Sequence, residues 1–423
     1  MNKTWDVVII GSGLAGYVAA NYLGRSSLRV LLIEKSKFYG GRAKTDLIQK
    51  QNFNLGPHAL YKRGAAMPIL DDLGIQLDGS SPKTGGWLIN EDQIYKAPFS
   101  PLSIFSTNLL SWRERVAWIR VILKISKTNI ENMDDITFKE WVLKTSNVMT
   151  IQTLLYTLAR LATYCDAPDK ASAKVILTHL QRVLSGVLYV DYGWQTIIDQ
   201  LHNQAITHGV QIKKQSTVKQ IFVEENNSFT LTLTNDVIHA KQVLYTGDPH
   251  HLNHLLMNTT LDSFLDEIIP VKAATLDVAL RKLPQPNNSF TLRMDQPYYY
   301  SLHSRYAKLS EERNSHILHV LKYHKPEENV DFKTIKQELE NFLERIQPGW
   351  RNYEITSRFL PNITVSQRLP LVGDEDMLRN SKTAIRNLFI AGDWASPYSI
   401  LSDAAIATGK QSAKEMMGEL DAN

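Results

Sequence analysis

Val7-Val8-Ile9-Ile10 runs into Gly11-Ser12-Gly13-Leu14-Ala15-Gly16, and a second apolar run, Val30-Leu31-Leu32-Ile33, ends on Glu34. The stretch between them, from Tyr17 to Leu23, has a helical composition. Strand, glycine turn, helix and strand make a βαβ unit, and the glycines have distinct mechanical duties. Gly11 permits the tight turn after the strand, Gly13 lets a pyrophosphate approach the backbone, and Gly16 lets the helix pack close to the sheet. The helix N-terminus, at Leu14 and Ala15, offers free N–H groups and partial positive charge to phosphate. Glu34 stands where an acid accepts hydrogen bonds from adenosine ribose hydroxyls. The stretch predicts a bound dinucleotide.

The rest of the chain bounds the answer. At 423 residues it is too long for one simple core, and two or three subdomains are expected. A single cysteine, Cys165, excludes an internal disulfide. The first strand starts by about Trp5, which leaves no room for a signal peptide ahead of it. No apolar stretch reaches the roughly 18 residues a membrane span needs. The expectation is a cytoplasmic protein with at most surface contact with a membrane. A formal charge of +4 is too small and dispersed to imply nucleic acid.

Further along, residues 66–77 have a helical pattern, and Trp87-Leu88-Ile89 with Ile94-Tyr95 reads as a hairpin. Residues 101–186 are mostly helical, with Leu109, Trp112, Val116, Ile119 and Leu123 repeating every three to four positions. Tyr192-Gly193-Trp194 opens a helix that His208-Gly209 ends. Strand patterns cover 210–212, 218–223, 229–233 and 243–245, and Gly247-Asp248-Pro249 closes that segment. Residues 271–324 suggest a sheet, 331–346 a charged helix, and 388–391 a strand before a final helix from about Ser402 to Met417. Pieces of one domain flank segments of another, so the domains are expected to interleave.

The residues after Glu34 narrow the dinucleotide. Lys35-Ser36-Lys37-Phe38-Tyr39 leads to Gly40-Gly41-Arg42, a second close backbone approach with a permanent cation beside it. A nicotinamide site has no need of that. Near the other end stand Leu388-Phe389-Ile390-Ala391-Gly392-Asp393 and then Ile400-Leu401-Ser402-Asp403-Ala404-Ala405. Together these stretches resemble the flavoprotein superfamily of amine oxidases, carotenoid (phytoene) desaturases and protoporphyrinogen oxidases, most closely its desaturase branch. Phe53-Asn54-Leu55-Gly56-Pro57-His58, the segment 208–221 and the run ending Gly247-Asp248-Pro249-His250 share in the resemblance. The substrate segments, 66–186 and 255–355, carry no comparable match.

The resemblance implies an α/β fold in which a Rossmann-like FAD-binding domain (1–65, 187–254 and 356–423) interleaves with a mixed-sheet substrate domain (66–100 and 255–355) and a helical subdomain (101–186). It implies FAD, wrapped by Gly40, Gly41 and Arg42 and held at adenine through the backbone of Val218. Asp393 takes a ribityl hydroxyl or a phosphate-bound water. Ser402 caps the final helix, whose N-terminus faces the flavin pyrimidine ring, with Ala405 small enough for close approach. With no cysteine in 388–409, the flavin is expected to be non-covalent.

Three functions compete. An FAD-dependent desaturase or dehydrogenase would pass a hydride from a C–H bond of an apolar, isoprenoid-like substrate to flavin N5, with oxygen or a quinone as final acceptor. An amine oxidase or protoporphyrinogen oxidase-like enzyme is the alternative, but amine oxidases place an aromatic residue where Leu401 follows Ile400. A GDP-dissociation-inhibitor-like protein would bind no flavin. His58 and Tyr61 are candidates to line the flavin in a catalytic site, and His58 to exchange protons there, with plain backbone hydrogen bonding as the competing account of His58. His250, His251 and His254 lack the following acid of a metalloprotease pattern, and no metal is expected. The stretch 112–127, with Arg113, Arg115, Arg120, Lys124 and Lys127, has the composition of a helix lying on anionic lipid or of one packed on the core with a solvated basic face.

Overall fold

The computed structural model describes residues 4–421 apart from 313, 330 and 379. The expected βαβ unit is there: β1 (Trp5–Ile10), α1 (Leu14–Gly24) and β2 (Val30–Ile33). Among the described residues, β1 and β2 lie in a seven-stranded sheet. Its path runs from 211–213 through β2, β1, 237–245 and 229–233 to 218–223, and 388–390 adds to 237–245. The pairs of β1 with β2 and with 237–245 are parallel. Parallel strands are covered on both faces, and Val7, Val8 and Ile9 are fully buried. The strand expected at 243–245 is nine residues long.

A second sheet runs in the order 354–366, 271–280, 316–323, 298–301, 290–293, 87–90 and 93–96. The hairpin expected near 87–95 forms its far edge. The boundary expected at 356 falls inside the long edge strand Glu354–Ser366, so the chain leaves this sheet only after Ser366. One face is covered by the helix Phe332–Ile346, whose Ile335, Leu339, Phe342 and Leu343 pack on Leu276, Val278, Leu318 and Val320.

The other face carries a polar rung. Asp277 lies directly opposite both Arg358 and His319, and His319 opposite Ser301. Directly opposed residues share a face of the sheet. His319 Nδ1 is 2.6 Å from Asp277 Oδ1, and Arg358 donates to Asp277 Oδ2 through Nη2 (2.6 Å). Arg358 also reaches across to Asp46 Oδ2 (2.7 Å) and to the Asn54 carbonyl, tying this sheet to the segment that follows Arg42.

Five helices fill 101–186: Pro101–Ser106, Trp112–Lys127, Phe138–Thr145, Met149–Thr163 and Ala173–Leu184. Capping boxes start the second and third, Ser111 with Glu114 and Thr137 with Glu140. Trp118, Val121 and Ile125 form the buried stripe of Trp112–Lys127. The stripe singled out by periodicity is the other one: Trp112 is 64% exposed and Leu123 51%. The helix expected over 66–77 ends at Asp72, just before Gly74.

Candidate cofactor and active site

The two motif regions come together around the start of α1. A Cβ built on Gly16 would lie 2.0 Å from the Gly11 carbonyl oxygen, so any side chain there would force α1 off the turn. A Cβ on Gly13 would meet nothing within 4 Å. Gly16 therefore has a packing duty, and Gly13 faces open space at a helix N-terminus with no side-chain cap. Gly40 donates its N–H to Ser12 O (3.0 Å), and a Cβ on Gly41 would come within 3.5 Å of Gly13 Cα. The second glycine pair thus closes on the first. This is a cradle of the right chemistry for a pyrophosphate: free N–H groups, positive helix end, no side chains.

Glu34 is buried at the end of β2. Its Oε2 accepts from the backbone N–H (3.0 Å) and hydroxyl (2.6 Å) of Ser12, and its Oε1 accepts from the Ser36 N–H (2.7 Å). A carboxylate accepts about four hydrogen bonds, so capacity remains for a ribose hydroxyl. Nothing in the sequence marks Ser12 for this role, although it stands between two of the quoted glycines. Ser216 N–H bonds the Glu34 carbonyl (2.9 Å), which sets Val218 at the head of its strand close to this acid. Lys35 is exposed.

Arg42 joins the two ends of the chain. It forms a fork with Asp393, Nη1 to Oδ2 and Nη2 to Oδ1, both 2.6 Å, and Nη1 also donates to Val365 O (3.1 Å). Asp393 accepts the Gln367 N–H as well (3.0 Å). Burial pushes the Asp393 carboxyl up, but the Arg42 charge and these hydrogen bonds hold it below the usual carboxylate range. Burial pulls Arg42 down, and Asp393 more than reverses that. Such a bidentate pair is geometrically specific. It clamps Gly392 and Asp393 beside the cradle.

The last helix, Leu401–Asp421, lies along α1. A Cβ on Gly409 would be 2.5 Å from Ala15 O, so the two helices touch backbone to backbone there. At 1.5 Å per residue, the start of the last helix is about 12 Å from that contact, within the span of one extended dinucleotide. Ser402 is not its cap. It stands one residue inside the helix, because Leu401 takes a left-handed backbone (φ +62°) and turns the chain one position earlier. Ala404 is fully buried and Ala405 half-buried against the α1 core.

His58 faces two carbonyls, Gly56 O from Nδ1 (2.9 Å) and Arg42 O from Nε2 (3.2 Å), and packs edge-on against Trp194. Burial holds it below the ordinary histidine range. Tyr61 donates to Ala162 O (2.5 Å), and burial raises its hydroxyl. Both are engaged with backbone of neighbouring segments. Half-buried Ile363, Val365, Leu371 and Leu401 lie against a buried cluster that includes Leu321, Tyr323, Leu369 and Ile400. Among the described residues no group of three or more His, Cys, Asp or Glu forms a metal-holding cluster, and His250 pairs with Asp248.

Comparison with known proteins places this geometry. Phytoene desaturase from Cercospora nicotianae is 22% identical over 262 residues, covering 53% of this chain and 42% of the desaturase. The chain thus spans less than half of that relative's length. An oxidoreductase from Methanosarcina mazei superposes with a TM-score of 0.76 at 16% identity, over 97% of this chain and 100% of that one. Cyclohexylamine oxidase from Brevibacterium oxydans IH-35A superposes with a TM-score of 0.74 at 14% identity, over 99% and 100%. At such identities the likeness is one of fold. The family profile for flavin containing amine oxidoreductase, however, matches residues 14–417, and with the cradle, the Glu34 acid and the Arg42–Asp393 fork in place the chain belongs to that family.

Proposed function

We propose that the protein is an FAD-dependent desaturase or dehydrogenase that oxidises a C–H bond of an apolar, isoprenoid-like substrate. The observation that carries the cofactor is the uncapped N-terminus of α1 opening onto Gly13. In this reading Gly13, Leu14, Ala15, Gly40, Gly41 and Arg42 hold the pyrophosphate, Glu34 the adenosine ribose and Val218 the adenine. Gly392 and Asp393 carry the ribityl side, with Ser402 and Ala405 nearest the ring. When bound, FAD supplies a two-electron acceptor for a hydride, and oxygen or a quinone takes the electrons onward. The chain's contribution is position and dryness. Arg42 and Asp393 lock the two motifs together, while Ile363, Val365, Leu371 and Leu401 keep water from the reacting carbon. His58 and Tyr61 are tied to carbonyls and are assigned no proton transfer.

An apolar substrate is favoured by Leu401 behind buried Ile400, where an amine oxidase would set an aromatic wall. The flavin is non-covalent in this reading. Cys165 is buried outside the cofactor motifs, and burial pushes its thiol up to about 12, which leaves it no thiolate to react. Purified protein should be yellow, and acid precipitation should leave the colour in the supernatant. Anaerobic addition of an isoprenoid hydrocarbon in micelles should bleach the flavin, and cyclohexylamine should not. Bleaching by the amine alone would replace the desaturase reading with the oxidase one.

The partner surface we infer is anionic lipid, met by a cytoplasmic enzyme. Among the described residues no helix is long and apolar enough to cross a membrane. Phe105 (57% exposed) sits by Trp112, their rings 6.2 Å apart, and Leu102 and Leu123 are also exposed. Arg113, Arg120, Lys124 and Lys127, all exposed, lie along one side of the Trp112 and Leu123 stripe on the same helix. Exposed apolar side chains flanked by cations suit the headgroup boundary of an anionic bilayer, where a lipid-soluble substrate resides.

A further inference from the structure

The turn that opens the last helix is held from outside by the helix Ala173–Leu184. Ile400 donates its N–H to His179 Nε2 (3.2 Å). That bond puts the ring proton on Nδ1, which faces Tyr61 Oη at 3.2 Å. Tyr61 passes the chain on to Ala162 O, so every group in it has a partner. Burial keeps His179 well below the ordinary histidine range and therefore neutral.

Arg182, three residues on, holds the same turn at two further points. It donates to Ser399 Oγ (2.7 Å), and its Nη1 lies 3.1 Å from Asp403 Oδ2. Asp403 is wholly buried in the first turn of the last helix. Its Oδ1 accepts the Ala66 N–H (3.1 Å), whereas its Oδ2 has the Arg182 charge beside it and no hydrogen bond aimed at it. Gly64 makes the room: a Cβ there would be 2.2 Å from that oxygen. Between these anchors Leu401 keeps its left-handed backbone, a conformation that persists only where the surroundings over-determine it.

Burial raises the Asp403 carboxyl and the Arg182 charge pulls it back; in its ionised form this first-turn carboxylate opposes the positive potential that a helix N-terminus presents to an anion. Arg182 offsets that carboxylate. We propose that His179 and Arg182 are positioning residues for the cofactor: they fix the turn 399–403, and Arg182 sets how positive that helix end is toward the ring system of bound FAD. The inference rests on the flavin reading above. The helical segment, which contains none of the cofactor motifs, thereby tunes how readily the cofactor accepts electrons.

The test is the reduction equilibrium of FAD-loaded protein against a reference dye, read by visible absorbance. Arg182→Gln should shift it against reduction on the order of tenfold, which is about 30 mV for a two-electron couple. Asp403→Asn should shift it the other way, and the double variant should return near wild type. Arg182→Lys, which keeps the charge, should stay near wild type too. His179→Leu should weaken FAD binding while His179→Gln, whose side-chain oxygen can still accept from Ile400, restores it. Unmoved equilibria in Arg182→Gln and Asp403→Asn with FAD retained would overturn the proposal. If Arg182→Gln yields no soluble protein, an unmoved Asp403→Asn overturns it alone. A wild-type chain that takes up no FAD removes the flavin reading and this one together.

Discussion

Around α1 contact is backbone against backbone, whereas along the helix Trp112–Lys127 it is stripe against stripe. Gly16 has no room for a single carbon and Gly13 has room for a ligand, three residues apart on the same turn. The basic helix has two apolar stripes. Trp118, Val121 and Ile125 went inside, and Trp112 and Leu123 stayed out. In the first region one atom decides each position. In the second, two faces of similar hydrophobicity compete, and the neighbouring helices decide.

The sharpest way to break this contrast is to truncate one tryptophan from each stripe. Trp118 is fully buried and donates to Pro98 O (2.8 Å). Trp118→Ala should lower unfolding free energy by about 3–5 kcal/mol, and Trp112→Ala by no more than about 0.5 kcal/mol. Denaturant titration measures both, and equal losses would mean that the outer stripe is also a packing surface.

Charge reversal examines the outer stripe next. Each basic residue near an anionic surface contributes about 1 kcal/mol. Arg113→Glu, Arg120→Glu and Lys124→Glu together should therefore remove about 3 kcal/mol of attraction. Co-sedimentation with anionic vesicles at low salt should fall at least a hundredfold, with flavin content unchanged. A wild type that does not sediment would return the stripe to ordinary solvated surface.

The cradle makes smaller, more local claims. Glu34→Ala removes an acceptor from Ser12 and Ser36 as well as from ribose and should weaken FAD binding by roughly 1.5–3 kcal/mol. Glu34→Gln, which keeps one acceptor, should lose less. Equal FAD dissociation constants for wild type and Glu34→Ala would sink the ribose assignment. Gly16→Ala should destabilise the apoprotein by about 1–3 kcal/mol through overpacking. Gly13→Ala should leave apoprotein stability alone and lower FAD affinity. If thermal melts of the two apoproteins coincide, backbone contact does not govern this region.

What could be read in advance follows the same division. The glycines, Glu34, Gly40-Gly41-Arg42 and Gly392-Asp393 announce themselves because local backbone chemistry dictates residue type. That Arg42 and Asp393 would meet in one fork could not be read, since neither motif names its partner. The buried stripe of the basic helix was not legible either, because periodicity finds faces and does not rank them. The edge strand Glu354–Ser366 escaped notice because Arg358, Pro361 and Asn362 interrupt its pattern. Its central proline is tolerated at an edge. The rung of Arg358, Asp277, His319 and Ser301 depends on register among strands distant in sequence. His179 and Arg182 lie in no motif at all, and Asp403 lies inside the C-terminal one without a duty that the motif names. Ser402 missed its capping place by one residue because Leu401 turns where a glycine would be expected.

The first sheet takes strands from residues 5–10 and from 388–390, and α1 packs on the helix Leu401–Asp421. During synthesis the amino-terminal unit therefore waits for its last partner. At about 5–20 residues per second, roughly 20–80 seconds separate the two. For that interval the apolar face of α1 has no cover from the final helix, and Asp393 is not there to meet Arg42. A cofactor held by both motifs would be enclosed only once the final helix has docked on α1, which makes the site a late product of the chain.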